Sequence, residues 1–153
     1  MTHRRELIMA KVETLLTGLP TTGSRIFRAR ALPLERDTDL PAFLLFQGPD
    51  LSLEQHTPDN LTVDLEVFLD GLVAITGQGE TILNQMEQEA THVLLDKDGT
   101  PPDYQLGLET FVRQIVWRGT DETEIEGEGD RAMLRQRSLW VVTYERSRTD
   151  PSN

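Results

Sequence analysis

The stretch Asn60-Leu-Thr-Val-Asp-Leu-Glu-Val-Phe-Leu69 decides the fold. Leu61, Val63, Leu65, Val67 and Leu69 occupy every second position, and Thr62, Asp64 and Glu66 fill the gaps. A period of two is that of a strand, whose side chains point alternately to opposite faces. This strand therefore has one buried face and one wet face. It predicts a sheet with its core on one side, and the flanking sequence says what fills that core.

Towards the N-terminus, residues 4–17 read as an amphipathic helix. Leu7, Ile8, Val12, Leu15, Leu16 and Leu19 recur at spacings of three and four and form one stripe. Thr2 is the expected cap, and Gly18 with Pro20 the stop. Residues 24–32 read as a first strand resting on Ile26 and Phe27, followed by a polar loop over Glu35–Asp39. Pro41–Gln47 reads as a second strand, apolar on both faces and so expected at the sheet's centre. Gly48-Pro49-Asp50 is expected to break it, with residues 49–59 as a loop closed by Pro58-Asp-Asn60.

Towards the C-terminus, the alternating strand is expected to end near Asp70-Gly71. Residues 79–95 read as a second helix, with Ile82, Leu83, Met86, Ala90, Val93 and Leu94 buried and Glu80, Gln85, Glu87, Gln88 and Glu89 wet. Lys97–Asp103 is a breaker. Phe111–Arg118 reads as a fourth strand. Arg131–Arg146 contains a fifth, in which Trp140, Val142 and Tyr144 alternate with Leu139, Val141 and Thr143. Residues 148–153 read as a frayed tail. The expected fold is α+β: one mainly antiparallel or mixed sheet of about five strands packed by two helices, in a single domain over residues 1–153.

Composition narrows the function. Against 15 Lys and Arg the chain sets 26 Asp and Glu, a formal net charge of -11. A nucleic-acid surface needs a cationic patch, and so does an anionic membrane surface. The chain has no cysteine, which removes disulfides, thiolate metal sites and a Cys nucleophile. The apolar run at the N-terminus is interrupted by Lys11 and Glu13, and no stretch approaches the roughly 18 apolar residues of a membrane span. The simplest expectation is a soluble intracellular protein with no membrane partner.

No motif for catalysis stands out. His3, His56 and His92 lack metal-ligand spacing, and no serine sits in a GxSxG elbow. Gly77-Gln-Gly79 precedes a helix but lacks the lysine of a phosphate loop, so it reads as a turn. An enzyme reading would need a carboxylate pair, for example Asp64 with Glu66, which share a strand face about 7 Å apart. Trp117 and Trp140 read as core or cross-strand partners, or as an interface if exposed.

One charge run stands apart. Thr120–Asp130 links the last two strands and carries Asp121, Glu122, Glu124, Glu126, Glu128 and Asp130 with no cation. The alternation of Glu124, Glu126 and Glu128 has a calcium-loop flavour, but the EF-hand order is absent. The run reads either as a solvated hairpin tip or as an acidic surface with a use: a partner contact or a wall that repels DNA. These six residues are the candidate interface or channel residues. No catalytic, metal or cofactor residues are expected.

The order of elements also resembles a known family. Gly18-Leu-Pro-Thr-Thr-Gly-Ser-Arg-Ile-Phe27 closes the first helix, and Pro33-Leu-Glu-Arg-Asp-Thr-Asp-Leu-Pro-Ala-Phe-Leu44 leads into the second strand. The alternating strand, a helix and two strands around an acidic loop follow. This layout resembles the tail terminator proteins of long-tailed bacteriophages, the minor tail protein U-like group, and a gene transfer agent would read the same. The resemblance implies a structural virion protein at the tail-neck junction and no enzyme. It implies a homo-hexamer that caps the tail tube protein, ends its polymerisation and offers a surface to the head-tail connector protein. DNA would pass through the ring without specific binding. Another neck protein, or an acidic interaction module such as an inhibitor or DNA mimic, is the alternative.

Overall fold

A computed structural model describes residues 3–28, 39–53, 58–95, 105–108, 110–129 and 132–148. The elements are α1 (Arg4–Leu16), β1 (Ile26–Arg28), β2 (Ala42–Ser52), β3 (Asn60–Ala74), α2 (Gly79–Leu95), β4 (Val112–Thr120), β5 (Glu124–Glu126) and β6 (Met133–Ser147). The six strands form one mixed sheet in the order β1-β2-β3-β6-β4, with β5 also on β6. β1 runs parallel to β2, and every other pairing is antiparallel. With both helices packed on the sheet, the class is α+β.

The alternation in β3 sets the two faces. Val63, Leu65, Val67, Leu69 and Val73 point to the helices and join a core with Trp140, Val142 and Tyr144 of β6. β3 pairs β6 without a break from Asn60↔Ser147 to Ala74↔Met133. This ribbon is the spine of the molecule, so the centre of the sheet is β3 and β6 rather than β2. β2 is apolar on both faces for another reason. Phe43 and Leu45 enter the main core, whereas Ala42 and Leu44 join Leu72 and Met133 in a smaller cluster on the opposite face.

Three boundaries differ from expectation. β3 runs on to Ala74, because Leu72 and Val73 are each buried on their own side of the sheet. β2 is not broken at Gly48-Pro49-Asp50 but absorbs them in a bulge between Gln47 and Asp50 and continues to Ser52. Gly48 is required there: a Cβ would stand 2.8 Å from the Phe68 ring and 2.9 Å from the Glu66 carbonyl. The loop expected over 49–59 is thus strand as far as Ser52, and its residues 54–57 lie outside the described residues. The first strand is three residues long, Ile26–Arg28, and the rest of its expected C-terminal part is outside the described residues.

α2 has the expected bounds; of its expected stripe Leu83, Met86, Ala90 and Leu94 are buried, and Ile82 and Val93 are half-buried against the core. α1 is capped by His3, whose Nδ1 accepts from the Arg5 N–H at 3.0 Å; Thr2, the expected cap, lies outside the described residues. Its buried face is Ile8, Met9, Val12 and Leu16, with Leu7 turned out. Gly18, at φ +89°, ends the helix in the left-handed region that glycine favours. The turn beyond is tied to α2, where the Thr21 N–H and hydroxyl donate to the two Glu89 oxygens at 2.8 and 2.5 Å. Glu89, expected on the wet face, therefore joins the two helices.

Candidate functional site

The acidic run is not a simple loop. Its middle, Glu124–Glu126, forms β5 and pairs with Met133–Arg135 of β6. The reason lies in β6, which is longer than its partner. β4 pairs it only from Ser138 to Tyr144, so a stretch of edge is left at its start, and β5 fills it. Gly127, at φ +83°, turns the chain back.

Alternation then sorts the carboxylates. Glu124 and Glu126 point to the face away from the helices, opposite Arg135 and Met133. Glu126 is half-buried and accepts from Arg135 Nη1 at 2.6 Å. Asp121, Glu122, Glu124 and Glu128 are exposed, and Asp130 lies outside the described residues. Asp121, Glu122 and Glu124 line a polar cleft of about 260 Å³ together with Arg135 and Arg137. The structure thus brings three of the six candidate residues to one cleft and commits a fourth to an ion pair.

The floor of this region is a charge cluster that sequence reasoning missed. Asp70, fully buried, accepts from Arg137 through Nε at 2.8 Å and Nη2 at 3.1 Å, and pairs with Arg135 Nη2 at 2.7 Å. The Arg137 guanidinium also lies over the rings of Phe68 and Phe46, 4.8 and 5.8 Å from their centroids. Burial pulls the Arg135 pKa down, but the Glu126 hydrogen bond and the charges of Asp70 and Glu126 outweigh it and hold it above the usual guanidinium value. The hairpin is therefore fastened to the sheet by one arginine shared between Glu126 and Asp70. The signal in the sequence is the spacing Arg135-x-Arg137, on the parity opposite to Trp140 and Val142. It acquires meaning only once Arg137 is known to face Asp70.

The other candidates fall elsewhere. Asp64 and Glu66 lie on the helix-free face, half-buried, with Asp64 accepting from Thr143 Oγ1 at 2.5 Å. His3 caps α1, His92 is exposed on α2, and His56 lies outside the described residues. Gly77-Gln-Gly79 is a turn into α2, and Gly79 sits so close to β6 that a Cβ would meet Leu134 Cδ1 at 2.4 Å. Among the described residues no group of three or more His, Cys, Asp and Glu is placed to hold a metal ion. Among the described residues no helix is long and apolar enough to cross a membrane.

The two tryptophans, directly opposite across β4 and β6, differ sharply. Trp140 is buried and donates to Ser138 Oγ at 3.0 Å. Trp117 is 48% exposed, and its indole N–H donates to Thr120 Oγ1 at 3.1 Å. The Thr120 hydroxyl in turn donates to Glu87 of α2.

No protein-family model matches the chain, and no curated protein matches it in sequence. Among solved structures the chain is similar to one in the virion of a native gene transfer agent (GTA) particle. The TM-score is 0.48 at 9% identity, over 88% of this chain and 84% of that one. The likeness is one of backbone layout.

Proposed function

We propose that this chain is a structural virion protein, a tail terminator. Six copies form a ring that caps the tail tube, ends its polymerisation and presents a joining surface to the head connector. The observation that carries the reading is the run Gly18–Phe27, the part of the resemblance that the structure describes in full. It is a folded corner. Gly18 N–H donates to Gly23 O at 2.8 Å, and Gly23 N–H donates to Leu19 O at 2.7 Å. Thr21 is held by Glu89 of α2, and the corner delivers the chain into β1. The resembling residues therefore join both helices to the sheet, as a family-wide feature of layout would.

Charge supports the same reading. A ring that passes DNA needs a wall that does not hold phosphates, and a chain of net charge -11 supplies one. The reading contains no chemistry, and the exposed Asp121, Glu122, Glu124 and Glu128 serve as lumen or partner surface. Deleting the gene tests it. Abnormally long tails without heads are expected, and tails of normal length in the deletion strain would end the terminator reading.

A further inference from the structure

Trp117 is exposed, yet its ring is fixed in place. It stands on β4 opposite the buried Trp140. Its N–H donates to Thr120 Oγ1, and the Thr120 hydroxyl donates to Glu87 Oε1 of α2. These two bonds tie the indole to the helix, so little freedom is lost when a partner covers it. An indole has one donor and no acceptor. With that donor satisfied, the exposed half of the ring offers only aromatic carbon.

Glu87 supplies the second half of the site. Its Oε1 takes the Thr120 hydroxyl, a neutral donor that brings no counter-charge. Its Oε2 has no hydrogen-bond partner among the described residues and is not sealed from water. No Lys or Arg pairs with Glu87 among the described residues, and α2 carries Glu80, Glu87 and Glu89 with no Lys or Arg of its own. Arg118 falls in the bulge after Trp117 and makes no ion pair among the described residues, so it leaves this carboxylate unneutralised. An exposed aromatic ring and an unneutralised carboxylate one hydroxyl apart attract the same thing, a cation.

We infer that Trp117 and Glu87 form a seat for an arginine side chain of a partner protein. A guanidinium is planar and weakly hydrated, so it stacks on an indole. Its N–H groups lie in its own plane and reach past the edge of the ring beneath. The Glu87 carboxylate stands at that edge, where Thr120 links it to the indole N–H. One arginine therefore meets the ring with its face and Oε2 with its fork. A lysine ammonium is a compact, strongly hydrated charge and cannot do both so well. The net charge of -11 draws a cationic partner and repels an anionic one. The seat belongs to the single chain and does not depend on the terminator reading.

Acetyl-tetra-arginine amide, titrated into the full chain at about 0.1 M salt and followed by heteronuclear NMR, tests the seat. The chain has two indole N–H groups, one exposed and one buried, and Trp117→Leu assigns them. The Trp117 indole and Thr120 amide resonances should shift and saturate, while the Trp140 indole stays still. Acetyl-tetra-lysine amide should bind there at least about threefold more weakly. Glu87→Gln should weaken the arginine peptide about tenfold, whereas Glu124→Gln on the hairpin should change it by less than about twofold. A Trp117 resonance that stays still, an equal response to the two peptides, or equal losses in Glu87→Gln and Glu124→Gln would overturn the seat. So would a Trp117 resonance that moves on dilution without peptide, because a second copy of the chain would then be the occupant. The comparison of the two peptides uses the unaltered chain and stands even where a variant fails to fold. Tail length in the deletion strain judges the terminator reading separately.

Discussion

Asp64 and Asp70 stand on the same face of the same strand, six residues apart, and have opposite fates. Asp64 is half-buried and meets one threonine. Asp70 is sealed from water and held by two arginines. Alternation assigns both correctly to the face away from the helices, but it is silent about what covers that face along its length. At the Asp70 end the smaller apolar cluster, the bulky Phe46 and Phe68 and the β5 hairpin close over it. At the Asp64 end no helix does.

The largest expected effect calibrates the opposite face. Leu65→Asp puts an unpaired carboxylate at a fully buried position. It should cost on the order of several kcal/mol and leave the chain unfolded or insoluble. A folded, soluble Leu65→Asp variant would mean the faces are reversed. Next comes Asp70→Ala, which leaves Arg137 without its carboxylate and Arg135 with Glu126 alone. Because both guanidiniums keep some contact with water, the loss should be about 1–3 kcal/mol, read as a lower urea midpoint. Asp64→Asn should stay within about 0.5 kcal/mol of the parent. Equal losses at Asp64 and Asp70 would erase the contrast between them.

A smaller effect concerns pH. His3 caps α1 through Nδ1, which accepts only when unprotonated. Burial, then the charges of Arg5 and Arg146, lower its pKa from 6.5, with Asp50 opposing. Because the folded value lies below the unfolded one, the unfolded chain takes up the proton first. This contribution is therefore complete above 6.5 and is lost as pH falls through the folded value. It should be under about 1 kcal/mol, the scale of a single cap. His3→Asn keeps a capping side chain and removes the titration. Urea midpoints at about pH 7 and pH 5 should then differ less in the variant than in the parent. The same difference in both proteins would show that His3 is not its source.

The legible parts of the fold have one physical property in common: their pattern is set within a single element. α2 announces itself by a stripe and by breakers at both ends, and the inward face of β3 by strict alternation. What was not legible depends on a second element. Gly48-Pro49 has turn chemistry, yet the chain stays extended because the glycine lets β2 lie against Phe68. β5 has two glutamates in three residues and little strand propensity of its own; an unfilled length of β6 edge makes it a strand. Asp70, Arg135 and Arg137 become a cluster only through register. The acidic run itself was visible as the densest charge in the chain. Its division into one spent carboxylate, Glu126, and several free ones was not, because that too depends on Arg135.

That division sharpens the last prediction. Glu122, Glu124 and Glu128 are exposed and form no part of the Arg135 clamp, so changing all three to Lys while keeping Glu126 should move stability by no more than about 0.5 kcal/mol per site. Any biological effect is then one of surface charge. Suppose the hairpin faces the lumen of the proposed ring. Rings and tails should assemble normally, but DNA delivery should slow, because a cationic wall binds phosphates that an acidic one repels. If it faces a partner ring instead, head-tail joining should fail, and the defect should change with salt, since exposed charges act over a screening length of about 10 Å at 0.1 M. Adding Glu126→Lys to the triple variant breaks the clamp and should add a loss of stability that the triple change lacks. Full infectivity of the triple variant would leave the hairpin as a solvated cover for the edge of β6 and remove any role for its free carboxylates.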